Sequence, residues 1–217
     1  MKKKLVIFDL DGTLLNSIDD LVECTNYSLR KLGYPTHDKT TIRSYVGNGV
    51  NKLLERSLPD SSRNPDNLSC LRKIFIPYFE EHNTQYTTPY EGITNLLHQL
   101  QDQGVMLAVA SNKYHSATEK LVKYYFPEIN FIKILGQREN VPIKPDPKIV
   151  FDIIQDTNIK PEEVLYVGDS GVDLQTALNA KIDAVGVTWG FRTKSDLSNY
   201  QSLGLIDSAD ELLHFIE

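Results

Sequence analysis

The apolar positions of this chain follow two rhythms. Leu5-Val6-Ile7-Phe8, Val105-Met106-Leu107-Ala108-Val109-Ala110, Val164-Leu165-Tyr166-Val167 and Ala184 to Val187 are short unbroken runs between polar or turn residues. Strands covered on both faces of a parallel sheet read in this way. Phe131 to Leu135 is a shorter run of the same kind. Between the runs the spacing turns helical, over about 93–103, 115–125 and 172–180. Asp146 and Pro147 read as the N-cap and first position of a helix carrying Ile149, Val150, Ile153 and Ile154. Ala209 to Phe215 reads as a terminal helix. Strands alternating with helices of this length imply βαβ units and a parallel sheet.

One region breaks the alternation. Asn16 or Ser17 can cap a helix with Ile18, Leu21, Val22 and Leu29 on its apolar face, stopped at Gly33. Helical pieces follow at Asp38 to Tyr45, Val50 to Leu58 and about Pro65 to Gln85, with Pro77 expected to kink or divide the last. Thr87-Thr88-Pro89-Tyr90-Glu91-Gly92 reads as a linker back to the strands. A segment of this length is too long for a loop. The expected fold class is therefore α/β, a Rossmann-like doubly wound parallel sheet over residues 1–15 and 88–217. An all-helical cap over 16–87 is inserted after the first strand and covers its end.

Bulk properties narrow the function more than the fold. The 217 residues are 41% apolar and 24% charged, ordinary for a soluble globular protein. The formal charge of −6 gives no basic footprint for nucleic acid. No apolar stretch approaches the roughly 18 residues a bilayer demands, so no membrane partner is expected. Met1-Lys2-Lys3-Lys4 resembles a signal n-region, but Asp9 and Asp11 interrupt the apolar run that follows it. Cys24 and Cys70 are too few for a disulfide framework, and a cytoplasmic home is expected. The five histidines are scattered without metal-ligand spacing.

The chemistry collects where the apolar runs end. Asp9 and Asp11, two apart on an extended chain, point the same way, and Gly12 lets the backbone turn after them. Paired acids on one face are costly unless a cation or proton lies between them. They could simply end a strand; a Mg²⁺-assisted site, with one aspartate attacking phosphorus and the other moving a proton, is the sharper reading. Ser111 and Asn112 end the second long run and could donate to phosphate oxygens or merely cap a turn. Lys144, stiffened by nearby prolines, could neutralise phosphate charge or be a solvated surface lysine, and is preferred over Lys148, which already lies within the helix. Asp169 ends the Val164–Val167 run as a hard oxygen ligand suited to Mg²⁺. Asp173 falls in the first helical turn beyond it, where an acid also suits the helix dipole. In the cap, Gly47-Asn48-Gly49 could hold an anion on backbone N–H groups or form an ordinary turn, with Arg43 and Asn51 close by in sequence.

Asp9-Leu10-Asp11-Gly12-Thr13-Leu14, Ser111-Asn112, Lys144-Pro145-Asp146-Pro147 and Gly168-Asp169-Ser170-x-x-Asp173 stand in that order. Together they resemble the four motifs of the haloacid-dehalogenase-like phosphatases, over essentially the whole chain. Lys-Pro-Asp-Pro and Thr188-Trp189-Gly190-Phe191-Arg192 are similar to the phosphoglycolate phosphatase branch with a helical cap. Lys181 departs from that branch, where a small residue is usual, but lies beyond the site. The resemblance implies an aspartyl-phosphate on Asp9 and acid–base work by Asp11. It implies phosphate binding by Ser111, Asn112 and Lys144, and Mg²⁺ on Asp9, the Asp11 backbone carbonyl and Asp169. Asp173 would support the metal site or orient Lys144, while Arg43 and Asn48 would help set specificity. The partner implied is a small phosphorylated metabolite, with monomer and dimer both open. β-Phosphoglucomutase and inorganic pyrophosphatase of the same superfamily are rival readings, and a non-catalytic module phosphorylated on aspartate is a rival of another class.

Overall fold

The structure is a computed structural model and describes residues 2–217; Met1, first in the Met1–Lys4 stretch, lies outside the described residues. β1 (Leu5–Phe8) is buried along its length. Its alternate residues serve two different cores. Val6 and Phe8 join one apolar cluster, and Leu5 and Ile7 the other. A strand sandwiched in this way has no polar face to offer, hence the unbroken apolar run.

After β1 the chain makes the short β2 (Leu15–Asn16) and enters four helices. These are α1 (Ile18–Lys31), α2 (Lys39–Tyr45), α3 (Val50–Ser57) and α4 (Pro65–His82). They enclose a third apolar cluster built on Leu21, Ile42, Leu54, Leu71, Phe75 and Phe79. Pro77 does not divide α4. It is exposed, while Leu71, Phe75 and Phe79 keep the opposite face anchored through the proline turn. The chain returns through β3 (Thr88–Pro89), which pairs antiparallel with β2, Leu15 opposite Pro89. Buried Asp20 fixes this return, its carboxylate accepting from the Tyr86 and Thr87 amides at 3.0 and 2.9 Å and from the Thr87 hydroxyl at 2.5 Å.

The alternation then resumes. α5 (Ile93–Asp102), β4 (Met106–Tyr114), α6 (His115–Tyr125), β5 (Phe131–Gln137) and α7 (Lys148–Ile154) come first. β6 (Val164–Gly168), α8 (Gly171–Ala180), β7 (Asp183–Val187), α9 (Lys194–Leu197) and β8 (Gly204–Ile206) follow. Six strands form one parallel sheet in the order β5-β4-β1-β6-β7-β8. α5 and α6 contribute to the cluster on one face, α7 and α8 to that on the other. β1 lies between β4 and β6, where the winding reverses, so the carboxyl ends of these three strands border the ligand crevice of such a sheet.

Boundaries depart from the pattern reading at instructive places. β4 runs on through Ser111, Asn112 and Lys113 rather than stopping at Ala110. α7 starts one residue later than expected, with Pro147 at its N-cap position, although Asp146 still accepts from the Lys148 amide at 2.8 Å. Ser17 precedes α1 but does not cap it with its side chain. The segment Ala209–Phe215 is a 3₁₀ helix. Among the described residues no helix is long and apolar enough to cross a membrane.

Candidate active site

Asp9 follows β1 directly, and its amide continues the ladder by donating to the Val167 carbonyl at 2.9 Å. Its carboxylate lies 2.9 Å from Lys144 Nζ. That ammonium is only 2% exposed and also meets Asp173 Oδ1 at 2.7 Å, the Ala110 carbonyl at 2.9 Å and the Tyr166 hydroxyl at 3.0 Å. Burial alone would pull the Lys144 pKa down, but Asp173 and Asp9 together hold it well above its ordinary value. Burial pushes Asp9 up to about 7; Lys144 opposes this and Asp173 reinforces it. Asp169 is driven well above the usual carboxylate range, first by burial and then by Asp173 and Asp9. Lys148 turns instead to Asp152 on its own helix.

Asp9, Asp169 and Asp173 each present a carboxylate oxygen within 4.8 Å of the other two, all buried. Three buried acids against one ammonium leave the cluster short of positive charge, and an all-oxygen donor set suits a small hard cation. The residues present therefore fit Mg²⁺. They are not equivalent. Asp173 accepts from Ser170 N at 3.1 Å and Ser170 Oγ at 2.5 Å on one oxygen and from Lys144 on the other. It orients Lys144 and closes the first turn of α8 at the same time. Asp169 is steadied by the Phe191 amide at 2.6 Å and more loosely by Thr13 Oγ1 at 3.4 Å. Gly12, at φ +90°, passes so close to Asp169 that a Cβ there would strike the carboxylate.

The Asp11 side chain stands apart from the three acids. Both its oxygens meet Lys113 Nζ, at 2.9 and 2.8 Å, and Ser17 Oγ donates to one of them at 2.5 Å. The hydroxyl that the sequence offers as a helix cap is thus spent on Asp11. Ser111 is buried and lines the cavity, its Oγ accepting from the Lys113 amide at 3.2 Å.

Asn112 also lines the cavity, yet its side chain ties backbone to backbone. Its Nδ2 donates to the Gly47 carbonyl of the helical module at 2.9 Å and to the Lys144 carbonyl at 3.0 Å, while Oδ1 accepts from the Lys144 amide at 2.9 Å. Gly47 and Gly49 border the cavity; Asn48 between them does not, nor does Arg43. Arg43 Nε donates to the Phe191 carbonyl at 2.8 Å and its NH2 group to that of Gly190, across the seam between module and sheet. Arg192 answers from the other side, donating to the Arg43 carbonyl at 2.9 Å and to that of Val46.

Lys113 and Arg192 line the cavity and were not singled out from the sequence. Lys113 had a signal: two residues beyond Ser111 in the same strand, it faces the same way. Arg192 closes the Thr188–Arg192 stretch, but nothing local shows that it reaches carbonyls nearly 150 residues away.

Residues 6–187 match the haloacid dehalogenase-like hydrolase family. The phosphoglycolate phosphatase of Vibrio parahaemolyticus is 30% identical, with 98% of this chain and 96% of that protein aligned. The enzyme of the same name from Psychrobacter arcticus is 28% identical over 100% of this chain and 96% of its own length. A crystal structure of a candidate phosphoglycolate phosphatase from Lactobacillus delbrueckii superposes with a TM-score of 0.92 at 29% identity, covering 100% of this chain and 99% of that one. With the sheet, the acid cluster and these likenesses in agreement, the chain belongs to the haloacid dehalogenase-like hydrolases.

Proposed function

We propose that this protein is a Mg²⁺-dependent phosphatase that hydrolyses a small phosphate monoester of the phosphoglycolate type through an aspartyl-phosphate on Asp9. The observation that carries the reading is the buried Asp9–Lys144 pair at 2.9 Å, set beside Asp169 and within two residues of a second acid. Asp9 attacks phosphorus as the ester P–O bond breaks, and the departing oxygen takes its proton from Asp11. Water then attacks the aspartyl-phosphate, gives a proton to Asp11, and free phosphate leaves. Lys144, fixed by Asp173, offsets the charge of the phosphoryl group beside Asp9, and Ser111, within the neighbouring strand β4, donates to its oxygens. Asp9, Asp169 and the Asp11 backbone carbonyl would hold Mg²⁺. When bound, the ion supplies positive charge to the acids and to the phosphoryl oxygens.

Residues 16–87 act as the cover. Their contribution to the cavity wall includes Leu21, Val46, Val50, Leu53, Phe75 and Phe79. These side chains offer no hydrogen bond to the hydroxyls of a sugar, which weighs against a hexose phosphate and so against the mutase reading. The names of the relatives favour phosphoglycolate. Both cysteines are free, as suits a reducing cytoplasm.

The test is phosphate release from phosphoglycolate, β-glucose 1-phosphate and pyrophosphate, with and without Mg²⁺. Repeated turnover of phosphoglycolate is expected. It should need Mg²⁺ and fall roughly 10⁴-fold or more in Asp9→Asn. Uptake of a single equivalent of phosphate, with no turnover, would instead mark a signalling module.

A further inference from the structure

Lys113 is absent from the phosphoryl chemistry above, yet it is a charged side chain only 5% exposed and it lines the cavity. We propose that Lys113 selects the leaving group, binding a carboxylate carried on the alcohol side of the ester. The inference rests on the phosphatase reading in one respect: Asp11 marks where the ester oxygen departs. Lys113 Nζ, 2.8 Å from the nearer Asp11 oxygen, stands beside that point.

The surroundings of Lys113 favour an anion over a neutral group. Its ammonium has three N–H donors; two meet the Asp11 oxygens, and no other acceptor among the described residues takes the third. Nζ sits 4.7 Å from the centroid of the Phe79 ring, part of the apolar wall, so its charge is little screened by water. The other cations at the cavity are committed elsewhere. Lys144 is held between Asp9 and Asp173 at the phosphoryl end, and Arg192 donates to carbonyls of the cover. A carboxylate one carbon from the ester oxygen would accept the spare Lys113 donor. An alkyl group in its place would leave that donor facing hydrocarbon.

The experiment compares 2-phosphoglycolate with ethyl phosphate, which carries a methyl group where phosphoglycolate carries the carboxylate. Hydrolysis gives kcat/KM for each ester in wild type, Lys113→Met and Lys113→Arg. Calorimetry with Mg²⁺ present gives both affinities on the Asp9→Asn background, so the proposal is tested without turnover. Wild type should prefer phosphoglycolate by roughly 100-fold, the scale of one charge-assisted hydrogen bond shielded from water. Lys113→Met should bring the ratio to within about threefold, mainly through KM, and Lys113→Arg should keep most of the preference. The calorimetric ratio should follow the kinetic one. An unchanged ratio in folded Lys113→Met, or equal affinity of the two esters for Asp9→Asn, would overturn the proposal. Absence of hydrolysis with the calorimetric preference intact would overturn the catalytic reading and leave this one standing.

Discussion

Asp9, the proposed nucleophile, also carries a stability signature. Its carboxyl is pushed from 3.8 to about 7, with burial the leading cause. A group with a raised folded pKa holds its proton more tightly in the folded chain. Stability therefore falls as pH climbs from about 4 through 7, where the unfolded chain has already released the proton. In metal-free protein the advantage of Asp9→Asn over wild type should widen from pH 5 to pH 8, toward an upper bound of about 4 kcal/mol. Urea unfolding with a chelator present would measure it, and Mg²⁺ should narrow the gap. Asp9, Ser111, Asp169 and Asp173 were legible in sequence because each ends an apolar run or opens a helix, and Lys144 through the prolines around it and the motif it resembles. Asn112 was legible as a site residue but not in its manner. Nothing local says that its amide will join Gly47 to Lys144, because both partners are set by folding.

At the scale of elements, pattern reading worked where burial is two-sided and weakened elsewhere. β1 and β6 are wholly buried and read directly. β8 went unread because Gly204–Ile206 is three residues long and only Ile206 is fully buried. β4 was cut short since Ser111, Asn112 and Lys113 interrupt the apolar run, although they remain buried and extended. Their polarity is met by partners far along the chain, such as Asp11 and Lys144. β2 and β3, at two residues each, are too short for any periodicity. The bond set around Asp20 gives this ribbon a measurable strength. Asp20→Ala leaves two backbone N–H groups and a hydroxyl without their acceptor, at a cost of about 2–4 kcal/mol. Hydrogen exchange should show protection lost first at the Tyr86 and Thr87 amides, with the β1 and β6 amides following only the global loss.

For the whole molecule, the seam between the helical module and the sheet is held by reciprocal arginines bonded to carbonyls rather than to acids. Arg43 reaches the Gly190 and Phe191 carbonyls, and Arg192 reaches those of Arg43 and Val46. The seam also carries apolar contact: Ala117 and Phe191 of the sheet module are buried in the helical module's cluster, and Tyr114 packs against it. Arg192→Met removes its bonds to the Arg43 and Val46 carbonyls and should enlarge the radius of gyration in solution scattering. Adding a phosphate analogue with Mg²⁺ should contract wild type more than the variant. The α/β class and the presence of the inserted helices were readable from rhythm alone. The seam was not, because its donors and acceptors carry no periodic mark.

The ribbon of Leu15–Asn16 against Thr88–Pro89 brings the chain back to where it left the sheet. Both crossings of the helical module therefore pass through one narrow doorway, on the far side of Asp11 from β1. Insertions, deletions or wholesale replacement between these crossings leave the strand order and the acid cluster as they are. A change between the crossings can reshape the wall that Leu53, Phe75 and Phe79 give the cavity, while Lys113, Lys144 and the acids lie outside those crossings.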